Sequence, residues 1–154
     1  MTEEFTNKTD KTFWVIALIG FLMPWIVIIS CQIYFGQAAE IKHFPAHLFE
    51  SGYNFFFLAV MNAVPFVILA VASRFLLKTG QEARTRRSRL AGLGTAAACD
   101  MALSLFMQIG VWSNVFNPKT HASLAGIGIY IEFWAALVIL PVGYGLGWAA
   151  GRII

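Results

Sequence analysis

The stretch Ile127-Gly-Ile-Tyr-Ile-Glu-Phe-Trp-Ala-Ala-Leu-Val-Ile-Leu-Pro-Val-Gly-Tyr-Gly-Leu-Gly-Trp-Ala-Ala-Gly151 decides the fold. Its one charged residue is Glu132, and a helix needs about 20 predominantly apolar residues to cross a bilayer. The run is continuous rather than alternating, which excludes a strand of a membrane barrel. Glu132 stands where a carboxylate is expensive. Beyond Pro141 follow Gly143, Gly147 and Gly151, a small residue at every fourth position. Such a row lets a neighbouring helix approach closely.

Working outward from it, the chain repeats this character. Its 154 residues are 58% hydrophobic and 12% charged, against about 25% charged in soluble domains. A chain this short has too little interior to hide so many apolar side chains from water. Four runs are long enough to span a bilayer: Phe13–Gly36, Tyr53–Leu77, Leu90–Phe116 and Ala122–Ala150. The expected fold is therefore all-α, one polytopic domain over residues 1–154 with four transmembrane helices and short loops. The first run is too long for a signal-peptide core, and its flank holds Glu3, Glu4 and Asp10 beside Lys8 and Lys11, so it reads as a retained membrane helix. Met1–Thr12 reads as a polar segment at the membrane surface without regular structure. Asp10 or Thr12 is then the cap of the first helix.

The basic excess is local. Arg74, Lys78, Arg84, Arg86, Arg87 and Arg89 flank or fill the second connection, with Glu82 alone opposing them. By the positive-inside rule this connection is cytoplasmic, and both termini with it. Nine of the eleven lysines and arginines then fall inside, leaving Lys42 and Lys119 outside. The expected location is a bacterial cytoplasmic (inner) membrane. Gly80 ends the second helix, and Thr85 or Ser88 begins the third. Arg84, Arg86, Arg87 and Arg89 are candidates for anionic lipid headgroups or an acidic partner. No motif or aromatic interleaving points to nucleic acid.

The first connection, Gln37–Gly52, carries Ile41, Phe44, Leu48 and Phe49 at roughly helical spacing. That predicts a short amphipathic helix on the membrane surface, begun at Pro45. His43 and His47 lie at i and i+4 and are weak metal candidates. A site needs a third or fourth ligand and Pro45 disturbs the spacing, so neither metal nor cofactor is assigned. Cys31 and Cys99 lie ~27 Å and ~13 Å from the inner membrane face at 1.5 Å per residue, too far apart in depth for a disulfide.

Polar residues inside the spans carry the functional reading. Counting ~1.5 Å per residue from the outer ends, Gln32 lies at ~6 Å, Gln108 at ~12 Å, Asn62 at ~14 Å, Glu132 at ~15 Å and Asp100 at ~24 Å. If they face one interior they form a descending ladder that opens outward. Ser104 and Met107 share the Asp100 face, with Gln108 farther round. No Lys, Arg or His lies at membrane depth to pair with either carboxyl. A buried carboxyl that changes charge when water or a cation arrives is the basic device of proton-coupled transport. Asn62, three residues before Pro65, serves either the Met61 carbonyl that Pro65 leaves free or a bond to another helix.

Nucleophile, zinc-protease and paired-cysteine motifs are absent, and the ~9 Å difference in depth separates Asp100 from Glu132 as an acid–base pair. The leading expectation is a small transporter or channel-type protein using Glu132, Asp100, Asn62, Gln108 and Gln32. The alternative is an accessory or assembly subunit of a membrane complex, docking through Gly143, Gly147 and Gly151. Gly94 and Ala98, with Ala102, form a second small-residue row. These rows favour a homo-oligomer or a larger complex, with membrane lipids as further partners.

Overall fold

A computed structural model describes residues 2–49, 54–79, 82–117, 119 and 125–153. All regular structure among the described residues is helical: α1 (Thr2–Tyr34), a 3-10 turn (Ala38–His43), α2 (Phe44–His47), α3 (Phe55–Thr79), α4 (Ala83–Phe116) and α5 (Ala125–Ile153). The four long helices are apolar enough to cross a membrane. Leu18, Ile26, Phe75, Phe106, Trp134, Val138 and Leu146 point outward, as expected of side chains that meet lipid rather than water.

Two helix starts differ from expectation. α1 is already helical at Thr2, so Asp10 and Thr12 lie inside it and not at its start. No Gly or Pro interrupts residues 2–23 except Gly20, and Glu3 and Glu4 suit the positive end of the helix dipole. α4 begins at Ala83, with extended Glu82 before it, and not at Thr85 or Ser88. The Ser88 hydroxyl donates back to the Arg84 carbonyl at 3.1 Å, an in-helix bond. The arginines expected in a loop are therefore in the first turns of a helix. α3 has a cap that hydropathy did not reveal: Asn54 Oδ1 accepts the Phe57 N–H at 2.8 Å. Glu50 and Tyr53 lie outside the described residues. So do the expected stop at Gly80 and the start at Ala122.

The short elements after α1 pack against the end of the helix bundle. Pro45 does open α2, but Phe44 and Leu48 pack on the end of the bundle. Phe44 stacks on Phe55 at 5.4 Å, and Trp25 meets Phe44 edge-on at 6.2 Å. The Trp25 indole donates to the Phe55 carbonyl at 3.0 Å. Aromatic burial against α1 and α3 outweighs spreading the same side chains over a surface.

Two helix pairings dominate, α4 with α5 and α1 with α3, and α4 also touches α1 and α3. Gly143 of α5 lies on Ala96 of α4, where an added Cβ would stand 3.0 Å from the Ala96 Cα. Gly147 lies on Ala91 and Thr95, and Gly151 on Ser88. The glycine row thus packs within the chain, against the small residues of α4, and is not free to dock a partner. The other row behaves in the opposite way. Gly94 and Ala98 are exposed, and nothing lies within 4 Å of a Cβ built on Gly94.

The core divides into two apolar clusters. One, toward the arginine-rich end, includes Phe13, Leu69, Leu77, Leu93 and Leu140. The other, toward the opposite end, includes Met23, Ile28, Phe55, Val111 and Trp112. Between them along α3, α4 and α5 come Asn62, Asp100, Ser104, Gln108 and Glu132, all buried.

Candidate functional site

One row of α4 builds most of this layer. Ser88, Gly92, Ala96, Asp100, Ser104, Gln108 and Trp112 recur at every fourth residue and all are buried. Residues four apart share a helix face. The small members at the arginine-rich end admit α5. The polar members occupy the middle, and Trp112 closes the far end. Gln108, expected farther round, is on the same face as Asp100 and Ser104.

The bonds in the layer have a fixed direction. The Trp112 indole donates to Gln108 Oε1 at 2.8 Å. An indole N–H only donates, so it sets the amide and leaves Gln108 Nε2 to face α5. That nitrogen donates to Glu132 Oε2 at 2.8 Å. Ser104 Oγ donates to Asn62 Oδ1 at 3.2 Å, and Asn62 Nδ2 donates to the Gly20 carbonyl at 2.6 Å. Gly20 is four residues before Pro24, which has no N–H to return to that carbonyl. Asn62 therefore repairs a proline break, but the break is in α1 and not the one at Pro65 in its own helix. Phe66 lies directly on Gly20, where a side chain would collide with its ring, so α1 and α3 are close enough for the bond.

The carboxyls are poorly served by comparison. Asp100 is 0% exposed and Glu132 5%. Among the described residues, neither oxygen of Asp100 nor Glu132 Oε1 has a hydrogen-bond partner. The two groups are close enough to interact electrostatically, and Ser104 is within reach of Glu132. A cleft of about 10 Å³ lies beside Glu132, lined also by Met61, Asn62, Pro65, Ser104, Gln108, Phe133 and Ala136. That volume holds about one water molecule.

Among the described residues, Trp112 and Phe55 cover the Gln108 end of the layer. Trp112 is 2% exposed and sits edge-on to Phe55 at 5.7 Å. Gln32 is buried with its Oε1 unbonded, and no hydrogen bond joins it to the layer. Ser104 was readable as a neighbour of Asp100. Gly20 carried no signal of its own, and only the rule that a proline frees a carbonyl four residues back could have found it.

The other candidate groups separate. His43 is exposed, and His47 lies edge-on to Phe55 at 6.0 Å. No group of three metal-ligating side chains occurs among the described residues. Arg89 donates to the Leu76 carbonyl in the last turns of α3. Arg84 and Arg87 line a pocket with Arg152, while Arg86 is half-buried on another side of α4. Cys31 and Cys99 are free thiols. Compared with protein-family models, curated proteins and solved structures, the chain matches none.

Proposed function

We propose that this integral membrane protein moves a proton or small cation across the bilayer through Asp100 and Glu132. The observation that carries the reading is the three carboxyl oxygens buried without a hydrogen-bond partner. Polar groups that serve only to join helices are bonded almost without exception. Asp100 joins nothing, and an unsatisfied buried polar atom costs about 1–3 kcal/mol. A cost of that kind is retained where a group exchanges something, and ionisable groups in membrane interiors mark such pathways.

In this reading Gln108 steadies one oxygen of Glu132 and leaves the other to receive a proton, a cation or water. Pro24, Pro65 and Pro141 lie within α1, α3 and α5 and supply bending points around the layer. Admission of water requires the cleft to widen beyond the single-water volume. Glu132→Gln keeps an oxygen for Gln108 to bond but removes the exchangeable carboxyl proton. In proteoliposomes this variant should lose pH-dependent flux, as should Asp100→Ala. Asp100→Ala should also melt higher than the parent, because it removes an unsatisfied group. Unchanged flux in both variants, or a lower melting point for Asp100→Ala, would make the carboxyls structural and sink the proposal.

A second reading, an accessory subunit, draws on the open row Gly94, Ala98 and Ala102 and not on the glycines of α5. Its face is exposed and small enough for a partner helix to approach.

A further inference from the structure

Three arginines converge at one end of the α4–α5 pair. Arg84 and Arg87 come from the first turns of α4, and Arg152 from the last turn of α5. With Ala83, Gly151 and Ile153 they line a pocket of about 300 Å³. The sequence alone offered Arg84, Arg86, Arg87 and Arg89 as one cluster. The fold divides that cluster and adds Arg152, which is distant in sequence.

The convergence is built into the packing. Gly151 is buried, and a Cβ there would stand 2.9 Å from the Ser88 Cα. Only because it has no side chain does the end of α5 lie against α4 with Arg152 beside Arg84 and Arg87. Arg84 Nη2 donates to the Arg152 carbonyl at 2.9 Å. The Arg152 guanidinium sits 3.8 Å over the Trp148 ring, an attraction between a cation and an aromatic face. Two of the three side chains are thus held in place before any ligand arrives, which lowers the ordering cost of binding.

The charge of the pocket suits an anion. Guanidinium groups stay charged, and among the described residues no acidic side chain lines the pocket. Glu82, the nearest acid in sequence, is turned to the Thr85 hydroxyl. Two cations in the first turns of α4 also oppose the helix dipole. Like charges brought together at the positive end of a helix are costly unless a negative group joins them. A planar guanidinium presents paired donors that match phosphate oxygens, and Arg84 spends one of its five donors on Arg152.

We propose that Arg84, Arg87 and Arg152 form a binding site for a phosphate-bearing anion, independent of the carboxyl layer. The phosphate comes either from an anionic lipid headgroup or from solution, and one experiment separates the two. The full chain, purified in neutral detergent, is titrated with phosphatidylglycerol, with phosphatidylcholine and with inorganic phosphate. Bound lipid is counted by native mass spectrometry and protection is read from thermal unfolding. Phosphatidylglycerol should bind and protect where phosphatidylcholine does not, which assigns a headgroup site. Protection by inorganic phosphate as well assigns a site that also takes phosphate from solution.

Arg152→Gln and Arg87→Gln should each weaken binding about fivefold, the effect of one basic group near an anionic surface. Arg87 is exposed, so its substitution leaves the fold intact. Arg87→Lys should recover part of the loss. Lys78→Gln, a charge change outside the pocket, should have no effect. Protection by neither probe, or an equal loss in Lys78→Gln, would overturn the proposal.

Discussion

Asn62 joins two helices by mending a defect in one of them. Pro24 denies the Gly20 carbonyl its helical partner, and Asn62 Nδ2 takes that place at 2.6 Å. The same side chain accepts from Ser104, so α1, α3 and α4 meet at one amide. Polar bonds between membrane helices contribute about 0.6–2 kcal/mol, and Asn62→Ala should lower stability by about that amount in detergent unfolding. The specific expectation concerns Pro24→Ala, which restores an N–H able to bond Gly20 within α1. In that background Asn62→Ala should cost clearly less. Residues that share a partner are non-additive, whereas independent sites add within about 0.3–0.5 kcal/mol. Additive behaviour of this pair would mean that Asn62 does not act through the proline gap.

Among elements, the two small-residue rows, both offered by spacing as docking faces, have divided into one packed within the chain and one exposed. Rows of Gly143, Gly147 and Gly151 and of Gly94, Ala98 and Ala102 are equally visible in sequence. Nothing in an apolar helix marks which of its faces meets protein and which meets lipid. The structure resolves it through α4, whose buried row of Ser88, Gly92 and Ala96 lies on nearly the opposite face from Gly94. A leucine at Gly147 would meet the Ala91 carbonyl and the Thr95 side chain, and a backbone oxygen cannot give way. Gly147→Leu should therefore destabilise the isolated chain by about 1–3 kcal/mol or more, as overpacking does. Gly94→Leu enters open space and should stay within about 0.5 kcal/mol of the parent, while interrupting any assembly through that face. Thermal unfolding together with co-purification distinguishes the two. Equal stability of both variants would show that the α4–α5 contact is not the tight one.

At the scale of the molecule, the four spans were legible because hydropathy is a property of composition, and every bilayer-length run became a long helix. The Asp100 and Ser104 pair was legible for the same local reason, a spacing of four, whereas Gln108 was expected farther round. What spacing could not supply was the rotation of each helix about its axis. That rotation decides that Asn62 meets Gly20, that Asp100 has no partner, and that Trp112 points inward. Orientation is a third kind of property, set by charge at the helix ends. Arg89 reaches the Leu76 carbonyl and Arg84 the Arg152 carbonyl, so guanidinium groups link the ends of α3, α4 and α5 at one face of the bundle. Lys42 and Lys119 lie beyond the other ends of these helices in sequence. The positive-inside rule then predicts that the linked face is cytoplasmic. With both native cysteines replaced by alanine, Lys42→Cys should react with a membrane-impermeant thiol reagent on intact cells. Lys78→Cys should react only after permeabilisation. The reverse pattern would place the arginines outside, and would move the phosphate site to the outer face of the membrane without changing its geometry.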